Sequence, residues 1–368
     1  MKVLADKYLY GLDQLLPEDF GLETYDPDQG FPPSVTQYDV LLIRTVTKLN
    51  AKTLPEAGEL KFVGSATAGF DHVDVDHLNS LGIEFARSEG CNANAVAEYV
   101  LTALYRWCYL RDEEIENLKI GVIGCGNTGG SLIGYLQKLG IKYVPYDPPK
   151  AKREVNFVTA EIDELLSSDV LSFHTLLTQD GAYPTHHMCN KKWLENGFKL
   201  IINASRGGVV DEKALLESKR FGVVQDFVLD VWENEPVFFD EVAEQAFIAT
   251  PHIAGYSREA KWKASEIVVR KMAEFFGEKY SLPTQKAEPE KFSLTEPEDL
   301  SFADFLWKNH KIETYDRKLR EFIGEPDKKK GQMFADLRSN TPTRFEFRTV
   351  IGQYPNPEKL PKEIKIFK

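Results

Sequence analysis

The chain has 368 residues, too many for one ordinary hydrophobic core, and its length predicts two or three domains. A hydrophobic fraction of 42% with 12% aromatics excludes wholesale disorder, and no run approaches the roughly 18 apolar residues a membrane-spanning helix needs. A formal charge of −12 opposes nonspecific nucleic-acid binding, so any anionic metabolite must be met by locally concentrated arginine. Cys91, Cys108, Cys125 and Cys189 form no CxxC pair and no Cys/His cluster at zinc spacing, which argues against a disulfide framework and a metal site. The opening MKVLADKYLYGLDQLL lacks a basic region followed by an apolar block, and a cytoplasmic location is the expectation.

From residue 1 to about 90, the runs KVLAD, DVLLIRT, KFVGSAT and IEFARS alternate with helix-like segments, as strands of a parallel α/β sheet do. In NANAVAEYVLTALYRWCYL, Val96, Val100, Leu101, Leu104 and Leu110 approximate helical spacing and predict a long helix linking two domains. Residues 118–147 then read strand, glycine turn, helix, strand, acid. The further strand-like runs DVLSFHT, KLIINAS, DFVLDVW and AFIATP, interleaved with helix-like segments such as DEKALLESKR, predict a doubly wound parallel sheet. Beyond about residue 285, PTQKAEPEKFSLTEPEDL reads as a linker, followed by charged helices and a strand, RFEFRTVI.

Gly124, Gly126 and Gly129 spell G-x-G-x-x-G, which alone can simply mark a loop. Here it follows the apolar strand KIGVI and opens a helix, so backbone N–H groups from Gly124 through Asn127, Thr128 and Gly129 can face a pyrophosphate. Asp147, at the end of the next strand, is placed to accept hydrogen bonds from ribose hydroxyls and to repel a 2′-phosphate, which favours NAD over NADP; the alternative is a turn acid before Pro148.

Three further sites follow strands of the same sheet. In INASRGGVVDEKALL, Arg206 can bind a carboxylate bidentately and Asp211 can cap the next helix. VLDVWENEP brings Asp230 to a strand end with Glu235 five residues on. In FIATPHIAGYSREA, His252 stands in an apolar run where a packed core histidine is the common reading. Alcohol oxidation by NAD needs a base near neutral pH, and a carboxylate on the second ring nitrogen fixes its tautomer, so Glu235 and His252 suit that pair.

NASRGGVVD, LDVWENEP and PHIAG, behind the glycine loop, resemble the D-isomer-specific 2-hydroxyacid dehydrogenase family in order and spacing. The resemblance implies that Arg206 binds substrate, that Glu235 and His252 are the acid/base pair, and that Asp230 contacts the nicotinamide side of NAD. It also implies NAD contacts at Thr175, at Ala204, Ser205 and Arg206, and at Gly255, and substrate contacts at Thr45, Thr67 and Tyr256. YDRKLREF and RFEFR resemble the extra C-terminal dimerisation domain of one branch, whose substrate is a phosphorylated hydroxyacid. The implied fold is α/β, with two Rossmann-like doubly wound parallel-sheet domains plus a small α+β C-terminal dimerisation domain. The implied boundaries are 1–92 with 256–285 for substrate, 93–255 for NAD and 286–368 for a homodimer contact. Another 2-hydroxyacid such as 3-phosphoglycerate, or an NAD(H)-sensing corepressor-like binding role, shares these residues.

A phosphate would need donors of its own. Arg44 precedes Thr45 at a strand end, and alternation in TRFEFRTV would set Arg344, Glu346 and Arg348 on one strand face; a phosphate clamp and a solvated face are both open.

Overall fold

The computed structural model describes residues 1–16, 20–278, 300–340 and 344–368, and most of the expected linker at 283–300 lies outside them. The described chain divides into two compact units: residues 1–92 with 257–278, and residues 93–256 with 300–368.

The first unit is built on a five-stranded parallel sheet of β1 (Lys2–Asp6), β2 (Gly21–Tyr25), β3 (Val40–Ile43), β4 (Phe62–Ser65) and β5 (Glu84–Arg87), in the order β2-β1-β3-β4-β5. The continuous apolar run of β3 is what a strand covered on both faces requires, and all four of its residues are buried. Helix Arg258–Phe276 starts on Ser257, whose hydroxyl accepts the Ala260 N–H, and ends on left-handed Gly277. Its Trp262, Val268, Val269 and Met272 share one core with Val3, Val40 and Phe62. The strand order reverses between β1 and β3, so the carboxyl ends of these strands, where open α/β sheets bind ligands, carry Asp6, Arg44 and Thr45.

The second unit holds a six-stranded parallel sheet: β6 (Lys119–Ile123), β7 (Lys142–Tyr146), β8 (Val170–Phe173), β9 (Phe198–Asn203), β10 (Val224–Leu229) and β11 (Ile248–Ala249), ordered β11-β10-β9-β8-β6-β7. Its switch point, between β6 and β8, lies beside the glycine loop. Helix Ala93–Arg111 is buried along most of its length, and Trp107 donates its indole N–H to Asp226 at 2.9 Å.

The tail departs from expectation in two ways. It was expected to stand apart as an α+β domain, yet from Leu300 on it belongs to the second unit. Phe305, Phe347 and Phe367 enter the core of helix Ala93–Arg111, and Asp316 accepts the Ala249 N–H at 2.7 Å on edge strand β11. The expected strand RFEFRTVI is instead the helix Phe347–Gly352, because Phe347, Val350 and Ile351 recur at i, i+3 and i+4 and are the buried positions.

Candidate active site

The glycine loop follows β6, and each glycine has its own reason. Gly124 has φ +84°, where a Cβ would also meet the His174 carbonyl at 2.7 Å. A Cβ on Gly129 would lie 1.9 Å from the Gly124 carbonyl, so only glycine lets helix Asn127–Leu139 pack so close behind the strand. A Cβ on Gly126 would meet nothing within 4 Å, leaving open space before a helix N-terminus that no side chain caps. Thr175, just past β8 with its methyl 3.0 Å from the Cβ position of Gly124, has a buried hydroxyl with no partner. An open cradle at a helix N-terminus and an orphaned hydroxyl beside it fit a dinucleotide. Asp147 accepts the Cys125 N–H at 2.8 Å and the Lys150 N–H at 2.9 Å, so it both caps helix Pro148–Arg153 and ties the glycine loop to the end of β7.

Arg206 is set by the loop after β9. Asn203 donates to the Arg206 carbonyl at 3.0 Å and accepts from the Ser205 N–H and hydroxyl at 3.1 and 2.8 Å. A Cβ on Gly207 would fall 1.8 Å from the Trp232 carbonyl, so that glycine permits the Arg206 loop to lie against the loop bearing Glu235. The two loops are bonded reciprocally: the Glu212 N–H donates to Glu233 at 3.0 Å and the Glu233 N–H to Glu212 at 2.7 Å. Burial pushes the Glu212 carboxyl up to about 8.

His252 and Glu235 meet. The His252 Nδ1 lies 2.8 Å from Glu235 Oε2 and 3.1 Å from Oε1. Burial opposes charge on Glu235, but the imidazole and Arg338 outweigh it and hold the carboxyl below its ordinary range. His252 has φ +58°, a backbone cost that the surroundings must fix. Asp230 fixes it: wholly buried, it accepts the Ile253 and Ala254 N–H groups at 2.8 Å each and the Thr250 hydroxyl at 2.6 Å. Burial raises its carboxyl, against the pull of His252 and these donors.

The chain is similar to known proteins over the segment that carries these residues. Residues 94–254 match the D-isomer specific 2-hydroxyacid dehydrogenase, NAD binding domain. An erythronate-4-phosphate dehydrogenase of Pseudoalteromonas translucida is 37% identical over 96% of this chain and 95% of its own length. One of Legionella pneumophila is 35% identical over 96% and 99% respectively. The chain belongs to the D-isomer specific 2-hydroxyacid dehydrogenase family. As such it is an NAD-dependent 2-hydroxyacid dehydrogenase with Rossmann-like parallel-sheet domains. The structure of a D-lactate dehydrogenase from Aquifex aeolicus, complexed with NAD and lactic acid, superposes with a TM-score of 0.58 at 26% identity, covering 75% of this chain and 96% of its own.

Of the remaining sequence-derived residues, Arg44 is paired with buried Asp6 at 2.8 Å and lies over the Tyr8 ring, and Thr67 bonds to Ser65 at 2.8 Å. Arg344 does not face a ligand surface. It is buried, ion-paired with Glu98 on helix Ala93–Arg111 and bonded to the Ala95 carbonyl at 3.0 Å, so the tail clamp read from RFEFR is not formed. Arg348, on helix Phe347–Gly352, is exposed. The tail does bring a different cation to the site: Arg338, on helix Asp327–Ser339, lies 5.8 Å from the Tyr256 ring. Its only sequence signal was its i+4 relation to buried Phe334.

Proposed function

We propose that the chain oxidises 4-phospho-D-erythronate to 3-hydroxy-2-oxo-4-phosphooxybutanoate, a step of pyridoxal 5′-phosphate biosynthesis. What carries the substrate is the likeness to erythronate-4-phosphate dehydrogenases over nearly the full length, tail included. Bound NAD supplies the hydride acceptor. Arg206 holds the C1 carboxylate through a two-pronged charge-assisted contact. His252 Nε2 takes the C2 hydroxyl proton, while Glu235 on Nδ1 fixes the tautomer and balances the charge that the imidazole gains. Thr45, Thr67 and Tyr256 contact the substrate, and Arg44 contributes to its phosphate. NAD is held by the glycine loop with Asn127 and Thr128, by Asp147 at the ribose, and by Thr175, Ala204, Ser205, Asp230 and Gly255. In our reading the protein works in the cytoplasm as a homodimer through its tail.

The test is NADH formation by the purified chain with 4-phospho-D-erythronate, with 3-phospho-D-glycerate and D-lactate as competitors. A kcat/KM at least tenfold higher for the four-carbon phosphate supports the assignment. Equal or greater turnover of either competitor refutes it.

A further inference from the structure

The described tail places five arginines, and they divide sharply. Arg317 and Arg348 are exposed. Arg320 is consumed by Asp316 and by the Ala243 and Ala246 carbonyls at 2.7 to 2.9 Å; Arg344, its own Nε without a partner, is held by Glu98 and the Ala95 carbonyl inside the core of helix Ala93–Arg111. Arg338 alone turns toward the catalytic loop, within hydrogen-bonding reach of the Tyr256 hydroxyl and in the fields of Glu235 and Asp230. Its Nε is buried and bonded to nothing.

Taking a guanidinium out of water is costly, and a fold retains one where paired acceptors meet it. The Tyr256 hydroxyl occupies part of that donor fork, Glu235 acts on it only through its field, and the buried Nε–H is left over. A phosphate dianion presents acceptors at the spacing of two guanidinium N–H groups, which a single hydroxyl cannot match. Arg206 answers for the carboxylate and Arg44 already balances buried Asp6, so a substrate with a second, doubly charged end needs a further cation. The D-lactate dehydrogenase neighbour, whose bound hydroxyacid, lactic acid, has no phosphate, covers 75% of this chain.

We propose that Arg338, presented by the tail helix beside Tyr256, forms the anion subsite that selects a phosphorylated 2-hydroxyacid over its unphosphorylated counterpart. The substrate's identity rests on the assignment above; the subsite requires only that the ligand carry a phosphate. The tail is then a specificity element built into the NAD-binding unit.

The experiment compares wild type, Arg338→Gln and Arg338→Lys in NADH formation with 4-phospho-D-erythronate and with D-erythronate, alongside inhibition by inorganic phosphate. In Arg338→Gln the ratio of kcat/KM values, phosphorylated over unphosphorylated, should fall at least 30-fold, roughly what loss of a charge-assisted pair entails. Arg338→Lys, which keeps the charge but not the fork, should fall between. The phosphate inhibition constant should rise at least tenfold in Arg338→Gln, with the NAD dissociation constant as a check on folding. Equal losses on both substrates overturn the subsite, as does an unchanged phosphate inhibition constant. A wild type inactive on the four-carbon phosphate overturns the substrate assignment alone. The phosphate inhibition constant, measured with whichever hydroxyacid is oxidised, then supports the subsite if it rises in Arg338→Gln and overturns it if it does not.

Discussion

Asp230→Asn perturbs His252, the proposed base, without touching it. Asp230 Oδ1 accepts from Thr250 and the Ile253 N–H, and Oδ2 from the Ala254 N–H. An amide replaces one acceptor by a donor. The less damaging orientation puts the new NH2 against the Ala254 N–H, because the other forfeits the Ile253 bond and opposes the Thr250 hydroxyl. One charge-assisted bond is lost and a buried N–H is left without an acceptor, together about 2 to 4 kcal/mol. Removing a buried carboxylate whose ionisation burial opposes returns part of this, so a net destabilisation of about 2 kcal/mol is expected. Catalysis should suffer more than stability: His252 at φ +58° is held in place by the two N–H bonds directly after it, and a shift of about 1 Å in a reacting group costs on the order of 10² in rate. Urea denaturation, steady-state kcat and amide exchange at Ile253 and Ala254 together test this. A variant with kcat within threefold of wild type and undisturbed exchange at both amides would refute the argument that Asp230 positions the histidine.

Glu235→Gln removes the carboxylate 2.8 Å from His252 Nδ1, so kcat for alcohol oxidation should fall by about 10² while the NAD dissociation constant stays within threefold of wild type; an unchanged kcat would mean the contact has no part in the reaction. Gly126→Ala, with nothing within 4 Å of its Cβ, should leave stability within about 0.5 kcal/mol and weaken NAD binding at least tenfold by calorimetry, whereas Gly129→Ala, whose Cβ strikes the Gly124 carbonyl, should lower both stability and NAD affinity. Burial lowers His174 to about 4, against an ordinary value near 6.5, so between those pH values only the unfolded chain binds the proton. Stability from this group is therefore complete above 6.5 and is lost as pH falls toward 4. The loss between pH 7 and 4.5 should be smaller by about 2 to 3 kcal/mol in His174→Gln than in wild type, and parallel pH profiles by chemical denaturation would contradict this.

The parts of the site legible in sequence are those whose chemistry is local. Strand, glycine turn and helix occupy one contiguous stretch, so the cradle around Gly126 follows from pattern alone. Glu235 and His252, 17 residues apart, could be paired because both follow adjacent parallel strands, whose ends lie at one edge by topology. The tail was misread for a related reason. The alternation in RFEFR fits a strand and Phe347, Val350 and Ile351 fit a helix, and only the core under helix Ala93–Arg111 decides between the two. Arg344 and Arg338 are indistinguishable in sequence, since what separates them is Glu98 on one side and Tyr256 on the other, 246 and 82 residues away.

Three loops with different strands behind them are joined into one unit by short contacts. Asn203 closes the Arg206 loop on itself, Gly207 lets it touch Trp232, the Glu212–Glu233 exchange bonds it to the loop carrying Glu235, and Asp230 bonds that strand end to the residues after His252. Each bond is between a carboxylate or amide side chain and backbone, and such a contact fixes a loop more tightly than one between two flexible side chains. Arg206, Glu235 and His252 are therefore positioned by main-chain geometry before any ligand arrives, the preorganisation that the proposed proton transfer requires. Arg338 has no such bond to the three loops. It reaches them through Tyr256 and through its field on Glu235, so the proposed anion subsite is joined to the loops by one side-chain contact and one charge.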